Sequence, residues 1–222
     1  NKWTALSGDL TNGAVSTNPN YGTITAIAVA PSNNQYIYSG ADDGSVFVTK
    51  DGGANWTRVT TGLPALWTTF IKADKTNPEV AYIGFSGYRY GSDGALIYKT
   101  TNAGTTWTLI SNDLPQVPVN DLEIIPAARP ALVAATDIGV YYSTNNGTKW
   151  KRLGTGLPVV VTTGLYYAPN SKVLYAGTYG RSVYKVTLPV ASLANTGGDS
   201  YADASVNEQK NVSLKLYPNP VS

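Results

Sequence analysis

Apolar and polar residues alternate in short runs along most of this chain, and no stretch shows helical periodicity. Typical runs are Ile24 to Ala30, Tyr36 to Gly40 and Ser45 to Thr49, which are separated by clusters of Gly, Asn, Asp and Pro. Such alternation, with many β-branched and aromatic residues between turn residues, predicts short strands joined by tight turns. The pattern therefore predicts an all-β protein.

One eight-residue pattern, Ser/Thr-x-Asp/Asn-x-Gly-x-x-Trp, occurs three times. The copies run from Thr49 to Trp56, Thr100 to Trp107 and Ser143 to Trp150, and Asn1-Lys2-Trp3 matches the end of a fourth. Their tryptophans are spaced by roughly 40–50 residues, the length of one four-stranded β-propeller blade. The repeat therefore predicts a β-propeller of four-stranded antiparallel blades, with about four blades in this chain.

Each repeat contains three strands, A, B and C, followed by the box and a short strand D after the tryptophan. The last set ends at Arg181 to Val186 without a box or a D strand, whereas Trp3 to Leu6 predicts a D strand at the start of the chain. The opening strand completes the last blade in one interpretation, which closes a four-bladed ring. In the other, the chain is the C-terminal part of a larger propeller of six to eight blades. The partial box at Asn1-Lys2-Trp3 favours the second.

The box has a mechanical explanation as a hairpin between strands C and D. Short polar side chains accept hydrogen bonds from turn N–H groups, glycine permits a positive φ, and tryptophan packs on the neighbouring sheet. Catalysis by the box acids is the weaker alternative. The predicted structural residues are Asp51, Gly53, Trp56, Asn102, Gly104, Trp107, Asn145, Gly147 and Trp150.

These boxes resemble the Asp-box, or BNR, repeat of sialidases, many glycoside hydrolases and sortilin-type receptors. The resemblance covers residues 1–188, although two of the three boxes have Asn where the family prefers Asp. It implies that the boxes are structural and lie on the face opposite an active site.

The period breaks after the last strand. Residues 189–211 are small and polar, as in a linker, and residues 212–222 contain Leu216-Tyr217-Pro218-Asn219-Pro220-Val221. That motif resembles the beginning of the C-terminal sorting domain of the type IX secretion system of Bacteroidetes. The resemblance implies export across the outer membrane, with release or attachment at the cell surface. The alternative is a proline-rich turn that leads into another β-domain.

Composition excludes several kinds of chemistry. Sixteen basic and fourteen acidic residues, without a basic run, argue against nucleic-acid binding. The chain has no Cys and no His, which removes thiolate metal sites, cysteine nucleophiles and the usual general base. No apolar run reaches the ~20 residues that span a bilayer. We expect no cofactor and no bound metal.

The face opposite the boxes is the predicted binding surface, because the D–A and B–C connections of a propeller emerge there. The longest B–C connection, Ser86 to Asp93, is an enlarged loop of the kind that often carries function. Aromatic rings in these loops are suited to stacking on sugars; packing between loops is the alternative. The predicted ligand-binding residues are Trp67, Tyr88, Arg89, Tyr90, Asp93, Asp137, Tyr179 and Arg181.

No catalytic set is predicted. A sialidase needs clustered arginines, but only Arg89 and Arg181 map to this face. A two-carboxylate glycosidase needs two of Asp42, Asp43, Asp93 and Asp137 to converge, which depends on the tertiary structure. The leading hypothesis is an exported, non-catalytic module that binds a glycan or a surface protein. The alternative is the C-terminal part of an exported Asp-box glycoside hydrolase. A third is a structural module that contacts further blades of a longer chain or a larger surface assembly.

Overall fold

The structure is a computed structural model that describes residues 1–11, 22–87, 92–126 and 131–188, and only the backbone at Ser92 and Asp93. Fifteen strands in these ranges form four antiparallel sheets, and no helix is present in them. We number the sheets as blades 1 to 4 in chain order. Each sheet is a simple meander because every connection joins neighbouring strands.

The strands of the first two blades have the following bounds. Blade 1 contains β1 (Ile24–Val29), β2 (Ile37–Ala41), β3 (Val46–Thr49) and β4 (Thr57–Arg58). Blade 2 contains β5 (Trp67–Ala73), β6 (Ala81–Gly87), β7 (Ser92–Thr100) and β8 (Thr108–Leu109).

Blades 3 and 4 repeat this order, and within the described residues the fourth contains three strands. Blade 3 contains β9 (Val119–Ile125), β10 (Ala131–Thr136), β11 (Gly139–Ser143) and β12 (Lys151–Arg152). Blade 4 contains β13 (Thr162–Ala168), β14 (Val173–Thr178) and β15 (Val183–Thr187). The predicted fold class, an all-β propeller of about four blades, is confirmed.

The first strand of every blade has an irregularity of register at the same place. The pairing skips one residue between Ile24 and Ala26, and in the same way at β5, β9 and β13. This common register makes residues of different blades equivalent. One set of equivalent positions, used below, is Ile27, Ile71, Leu122 and Leu165.

The hydrophobic core lies between the blades. One cluster joins blades 1 and 2 around Tyr38 and Ile83, a second joins blades 2 and 3 around Ile97 and Leu122, and a third joins blades 3 and 4 around Leu174. Each sheet thus buries its apolar side chains against the next sheet, as layered β-structures require. The apolar packing that stabilises the fold is therefore distributed over the interfaces between neighbouring blades.

The four blades form an open arc. Strand β1 packs on β5, β5 on β9, and β9 on β13, whereas no packing of similar extent joins β13 to β1 in the described chain. Trp3 to Leu6, which was predicted as a D strand, is not a strand of any described sheet. The interpretation in which this segment closes a four-bladed ring within one chain is therefore wrong.

The predicted linker, residues 189–211, and the predicted start of a sorting domain, residues 212–222, lie outside the described residues. Within the described ranges, no helix has the length and apolar character needed to cross a bilayer.

Candidate functional site

The D–A and B–C connections are tied together by main-chain hydrogen bonds, which builds one face of the arc. The N–H groups of Asp42, Asp137 and Tyr179 donate to the carbonyl oxygens of Thr23, Pro118 and Val161, at 3.0, 3.3 and 2.8 Å respectively. Each bond joins the residue after a second strand to the residue before a first strand of the same blade. The face opposite the boxes is thus a set of loops on a rigid support.

Two carboxylates of blade 1 on this face are used by its own backbone. Asp42 accepts the N–H of Thr23 at 2.8 Å, and Asp43 accepts the N–H of Ser45 at 2.8 Å. The Asp43 bond is the short-range kind by which Asp stabilises a turn, whereas the Asp42 bond joins the turn after β2 to the residue before β1. These two acids therefore have a structural task.

The next carboxylate on this face, Asp137, belongs to a link between blades 3 and 4. The side-chain amide of Asn120 donates to Asp137 at 2.8 Å and to the carbonyl of Thr162 in blade 4 at 2.9 Å. A carboxylate that orients a neighbouring amide is a positioning group. Asp137 therefore lies on the predicted face, but as part of its scaffold.

The predicted insert turns out to be a longer hairpin. Strands β6 and β7 continue to Gly87 and Ser92, which pair with each other. Residues 88–91, including the predicted ligands Tyr88, Arg89 and Tyr90, lie outside the described residues, as does the side chain of Asp93. The half-buried Trp67 begins β5 opposite Ser86, at the base of this hairpin.

The remaining predicted residues lie together on the B–C turn of blade 4. Tyr179 has 78% of its surface exposed, and Arg181 is exposed two residues further on. Val159, which was not among the predicted residues, is 69% exposed in the D–A loop bonded to this turn. Three successive valines after Pro158, in a segment predicted as a loop, were the available signal.

The three boxes have one hydrogen-bonding pattern. The first residue, Thr49, Thr100 or Ser143, donates its hydroxyl hydrogen to the side-chain oxygen of the Asp or Asn at 2.7, 3.0 and 2.9 Å. Its hydroxyl oxygen accepts the N–H of the box glycine at 2.9 Å in every copy. The Asp or Asn oxygen accepts the N–H of the residue before the tryptophan, also at 2.9 Å.

The single acidic box differs electrostatically from the two amide boxes. Hydrogen bonds from the side chain and N–H of Asn55, and from Thr49, lower the pKa of Asp51 to about 2. Bonds to the charged form of a carboxyl are one of the ordinary causes of such a shift. The shift fits a turn-capping role for Asp51.

The described residues of this face include carboxylates and one exposed guanidinium. They contain no group of three or more His, Cys, Asp or Glu side chains placed to hold a metal ion. Asp42, Asp43 and Asp137 each accept a hydrogen bond from the loops that carry them. The exposed groups of blade 4 are an aromatic ring, a guanidinium and an aliphatic side chain, which provide contact surface and hydrogen-bond donors.

No protein-family model matches the chain, and no curated protein matches it. Solved structures do match the chain. It resembles the GH74 enzyme of Niastella koreensis with a TM-score of 0.60 and 16% identity, over 74% of this chain and 28% of that one. It also resembles the GH74 xyloglucanase of Xanthomonas campestris with a TM-score of 0.57 and 14% identity, over 77% of this chain and 30% of that one.

Similar structures include proteins outside the glycoside hydrolases. YCF48 bound to D1 peptide gives a TM-score of 0.55 and 18% identity, over 76% of this chain and 52% of that one. A nidogen/laminin complex gives a TM-score of 0.55 and 16% identity, over 74% of this chain and 60% of that one. The matched part of the chain spans less than two thirds of each of these proteins, and identities this low establish only the propeller fold.

Proposed function

We propose that this chain is a non-catalytic propeller module that binds a glycan or a protein segment on the face opposite its boxes. The observation that carries this proposal is the use of Asp42, Asp43 and Asp137 by the loops themselves. A two-carboxylate glycosidase needs one acid free to donate a proton and another free to act as base or nucleophile. Each of these three acids instead accepts a hydrogen bond that holds its own loops, which favours a binding role for this face.

The proposed contact surface is the exposed group on blade 4, made of Val159, Tyr179 and Arg181. An exposed tyrosine has a flat apolar face for a sugar ring or an apolar side chain, and its hydroxyl supplies a polar end. The guanidinium supplies several donors in a fixed geometry. The main-chain bond from Tyr179 to Val161 holds the two loops together before any ligand arrives.

The place of action that we propose is outside the cell, after export by type IX secretion. This part rests on the Leu216 to Val221 motif, by its resemblance to the sorting domain. The named partners of similar structures, a xyloglucan substrate, the D1 peptide and laminin, suggest the two ligand classes to test.

The test uses the full 222-residue chain on a glycan array that includes xyloglucan oligosaccharides, and on an array of extended peptides. We expect retention on one array, with affinity reduced about tenfold or more by Tyr179→Ala and by Arg181→Ala. Lys50→Ala, an exposed change in a box on the opposite face, is the matched control and leaves affinity unchanged.

Two results would overturn the proposal. One is the absence of binding on both arrays. The other is the release of new reducing ends from a glycan at a rate that Asp137→Asn abolishes, because a scaffold carboxylate has no part in turnover.

A further inference from the structure

The boxes of blades 2 and 3 contact the preceding blade in the same way. The indole N–H of Trp107 donates to the carbonyl of Val59 in blade 1 at 2.9 Å, and that of Trp150 to the carbonyl of Ile110 in blade 2 at 2.8 Å. Each acceptor lies in the outer segment, the residues that follow the preceding box tryptophan. The joint between blades 1 and 2 can therefore be compared position by position with the joint between blades 2 and 3.

The joint between blades 2 and 3 contains a groove with a volume of about 350 Å³. Small-molecule sites in proteins usually have volumes of about 300–1,000 Å³. The groove lies between the outer edge of blade 2 and the box of blade 3. Its polar lining includes Lys99, Thr101, Thr108 and Asn112 from blade 2, and Asn146 and Thr148 from blade 3.

Lys99 occupies a position that is apolar at the first joint. Because Ile27 and Ile71 are equivalent, the pairing of the strands makes Val48 of blade 1 the equivalent of Lys99. Val48 is 1% exposed, whereas Lys99 is half-buried. A charged side chain thus stands in blade 2 where blade 1 has a buried aliphatic one.

The residue that faces Lys99 from the next blade differs in the same sense. Asn146 is fourth in its box, and the equivalent residue at the first joint is Ala103. Both have a positive φ, of 58° and 53°, so the backbone of the two boxes is alike. Ala103 is 1% exposed, whereas Asn146 is exposed. The second joint therefore carries polar side chains at two positions that are buried and apolar at the first.

The ammonium group of Lys99 has polar contacts but no close anion. It donates to Asn146 Oδ1 at 3.4 Å and lies 5.5 Å from the centroid of the Tyr82 ring. Within the described ranges, no carboxylate oxygen lies within 4 Å of it. Burial lowers the pKa of Lys99, and the charge of Asp74 opposes this shift only in part. The groove thus holds a partly desolvated positive charge that an anion would stabilise.

The groups around this charge are neutral. Thr108 is directly opposite Lys99 in the sheet, and residues paired in this way have Cβ atoms ~4.5–5.5 Å apart on one face. Thr101, Thr108 and Asn112 are exposed and form no side-chain hydrogen bond with another described residue. Leu109 adds an aliphatic surface, and Lys99 alone is charged among the described lining residues.

This combination selects one class of ligand. Hydroxyl and amide groups both donate and accept hydrogen bonds, as the hydroxyls of a sugar ring require. A single ammonium matches a ligand with one negative charge, whereas a phosphate carries up to two charges and is usually held by several cationic donors. A sugar with a carboxylate has one charge, several hydroxyls and an apolar ring face, which matches the groove in each respect.

We propose that the groove between blades 2 and 3 binds a uronic acid residue of an acidic polysaccharide. The carboxylate binds the Lys99 ammonium, and the ring hydroxyls bind Thr108 and the amide NH2 of Asn146. This site goes beyond the function proposed above, because it lies beside a box, whereas the blade 4 surface belongs to the opposite face.

Isothermal titration calorimetry of the full 222-residue chain with digalacturonate tests the proposal. Galactobiose of the same linkage has the same ring hydroxyls without the carboxylates, and we expect it to bind at least about tenfold more weakly. Lys99→Met removes the charge but keeps an unbranched side chain beside Tyr82, and we expect it to reduce the affinity for digalacturonate about tenfold or more.

The matched control is Lys185→Met. Because Leu165 is equivalent to Ile71, Lys185 is the equivalent of Lys99 in blade 4, and it also lies opposite a tyrosine, Tyr175. Lys185 is exposed and does not line the groove, so we expect this variant to bind digalacturonate as the unmodified chain does.

A second variant, Asn146→Asp, places a carboxylate of the protein itself beside the Lys99 ammonium. Asp tolerates a positive φ nearly as well as Asn, so we expect an unchanged circular dichroism spectrum together with a loss of digalacturonate binding. A purely structural role of Lys99 would not produce this loss, because Lys99 keeps a polar partner.

Four results would overturn the proposal. The first is the absence of saturable binding of digalacturonate. The second is binding of acetate, inorganic phosphate or triglutamate with equal affinity, which would show that the groove does not recognise the sugar. The third is unchanged affinity in Lys99→Met, and the fourth is an equal loss in Lys185→Met.

Discussion

The indole N–H of Trp150 donates to the main-chain carbonyl of Ile110 at 2.8 Å, across 40 residues of sequence. Both residues are buried, and the bond joins the box of blade 3 to the outer segment of blade 2. The equivalent bond from Trp56 ends on Leu6, which is 52% exposed. The same contact therefore differs in burial from one joint to the next.

Trp150→Phe tests how much the buried hydrogen bond between blades 2 and 3 contributes to stability. The change removes a donor from a buried carbonyl and leaves space beside it, so we expect the free energy of unfolding to fall by about 2–4 kcal/mol. The measurement is the midpoint of urea denaturation. Trp56→Phe is the matched control and costs about 1 kcal/mol or less, because water reaches the Leu6 end. Equal losses at both sites would contradict the role of burial.

A second prediction separates packing from backbone strain at two glycines with the same φ. Gly104 and Gly62 both have φ of +83°. A Cβ at Gly104 would lie 2.8 Å from the Val59 Cβ, whereas a Cβ at Gly62 meets nothing within 4 Å. Gly62→Ala costs about 1–2 kcal/mol from the left-handed backbone alone, and Gly104→Ala costs a further ~1–3 kcal/mol from overpacking.

Thermal unfolding of the two alanine variants, followed by circular dichroism, checks this difference. A Gly104→Ala variant as stable as Gly62→Ala would show that the joint between box and outer segment tolerates an added methyl group.

The third prediction concerns acid stability of the first box. The pKa of Asp51 is lowered to about 2, below its value in the unfolded chain, so the charged carboxylate stabilises the fold above pH ~4 and loses this effect as the pH falls toward 2. Asp51→Asn keeps the acceptor oxygen, as Asn102 and Asn145 do, but does not titrate. We expect the melting temperatures of the two proteins to differ by a constant amount near neutral pH and to converge between pH 4 and 2. A difference independent of pH would show that the charge has no effect.

The fourth prediction concerns Asp121, a carboxylate that joins three blades. It pairs with Lys72 of blade 2 at 2.9 Å and accepts the N–H of Leu165 in blade 4 at 2.9 Å. Asp121→Ala leaves that N–H without its acceptor, so we expect a loss of about 2–3 kcal/mol. Lys72→Ala removes only the partly exposed ion pair and costs about 0.5–1 kcal/mol. Urea denaturation of both variants measures the difference, and equal losses would mean that the ion pair dominates.

Much of the fold could be predicted from local sequence. The period of the tryptophans predicted the blades, and alternation predicted most strands. The hydrogen bonding of the box could be predicted as well, because its bonds join residues no more than four positions apart, as between Asn145 and Lys149. Interactions of that range depend on residue type and spacing alone.

Only part of the candidate site could be predicted from the sequence. Tyr179 and Arg181 were expected on the binding face and are exposed there, whereas the exposure of Val159 and the hydrogen bond from Asn120 to Asp137 were not predicted. A side chain's exposure and partner depend on what the neighbouring loop places beside it. Sequence spacing does not contain that information.

The sequence by itself determined the repeating blade and the turn that closes it, because both are built from contacts within one repeat. Only the tertiary structure decided that the arc is open, which carboxylates serve the scaffold, and how deeply each tryptophan is buried. These properties arise where one blade meets the next, between residues about 40–50 positions apart, and the burial of each residue depends on whether a neighbouring blade is present to cover it.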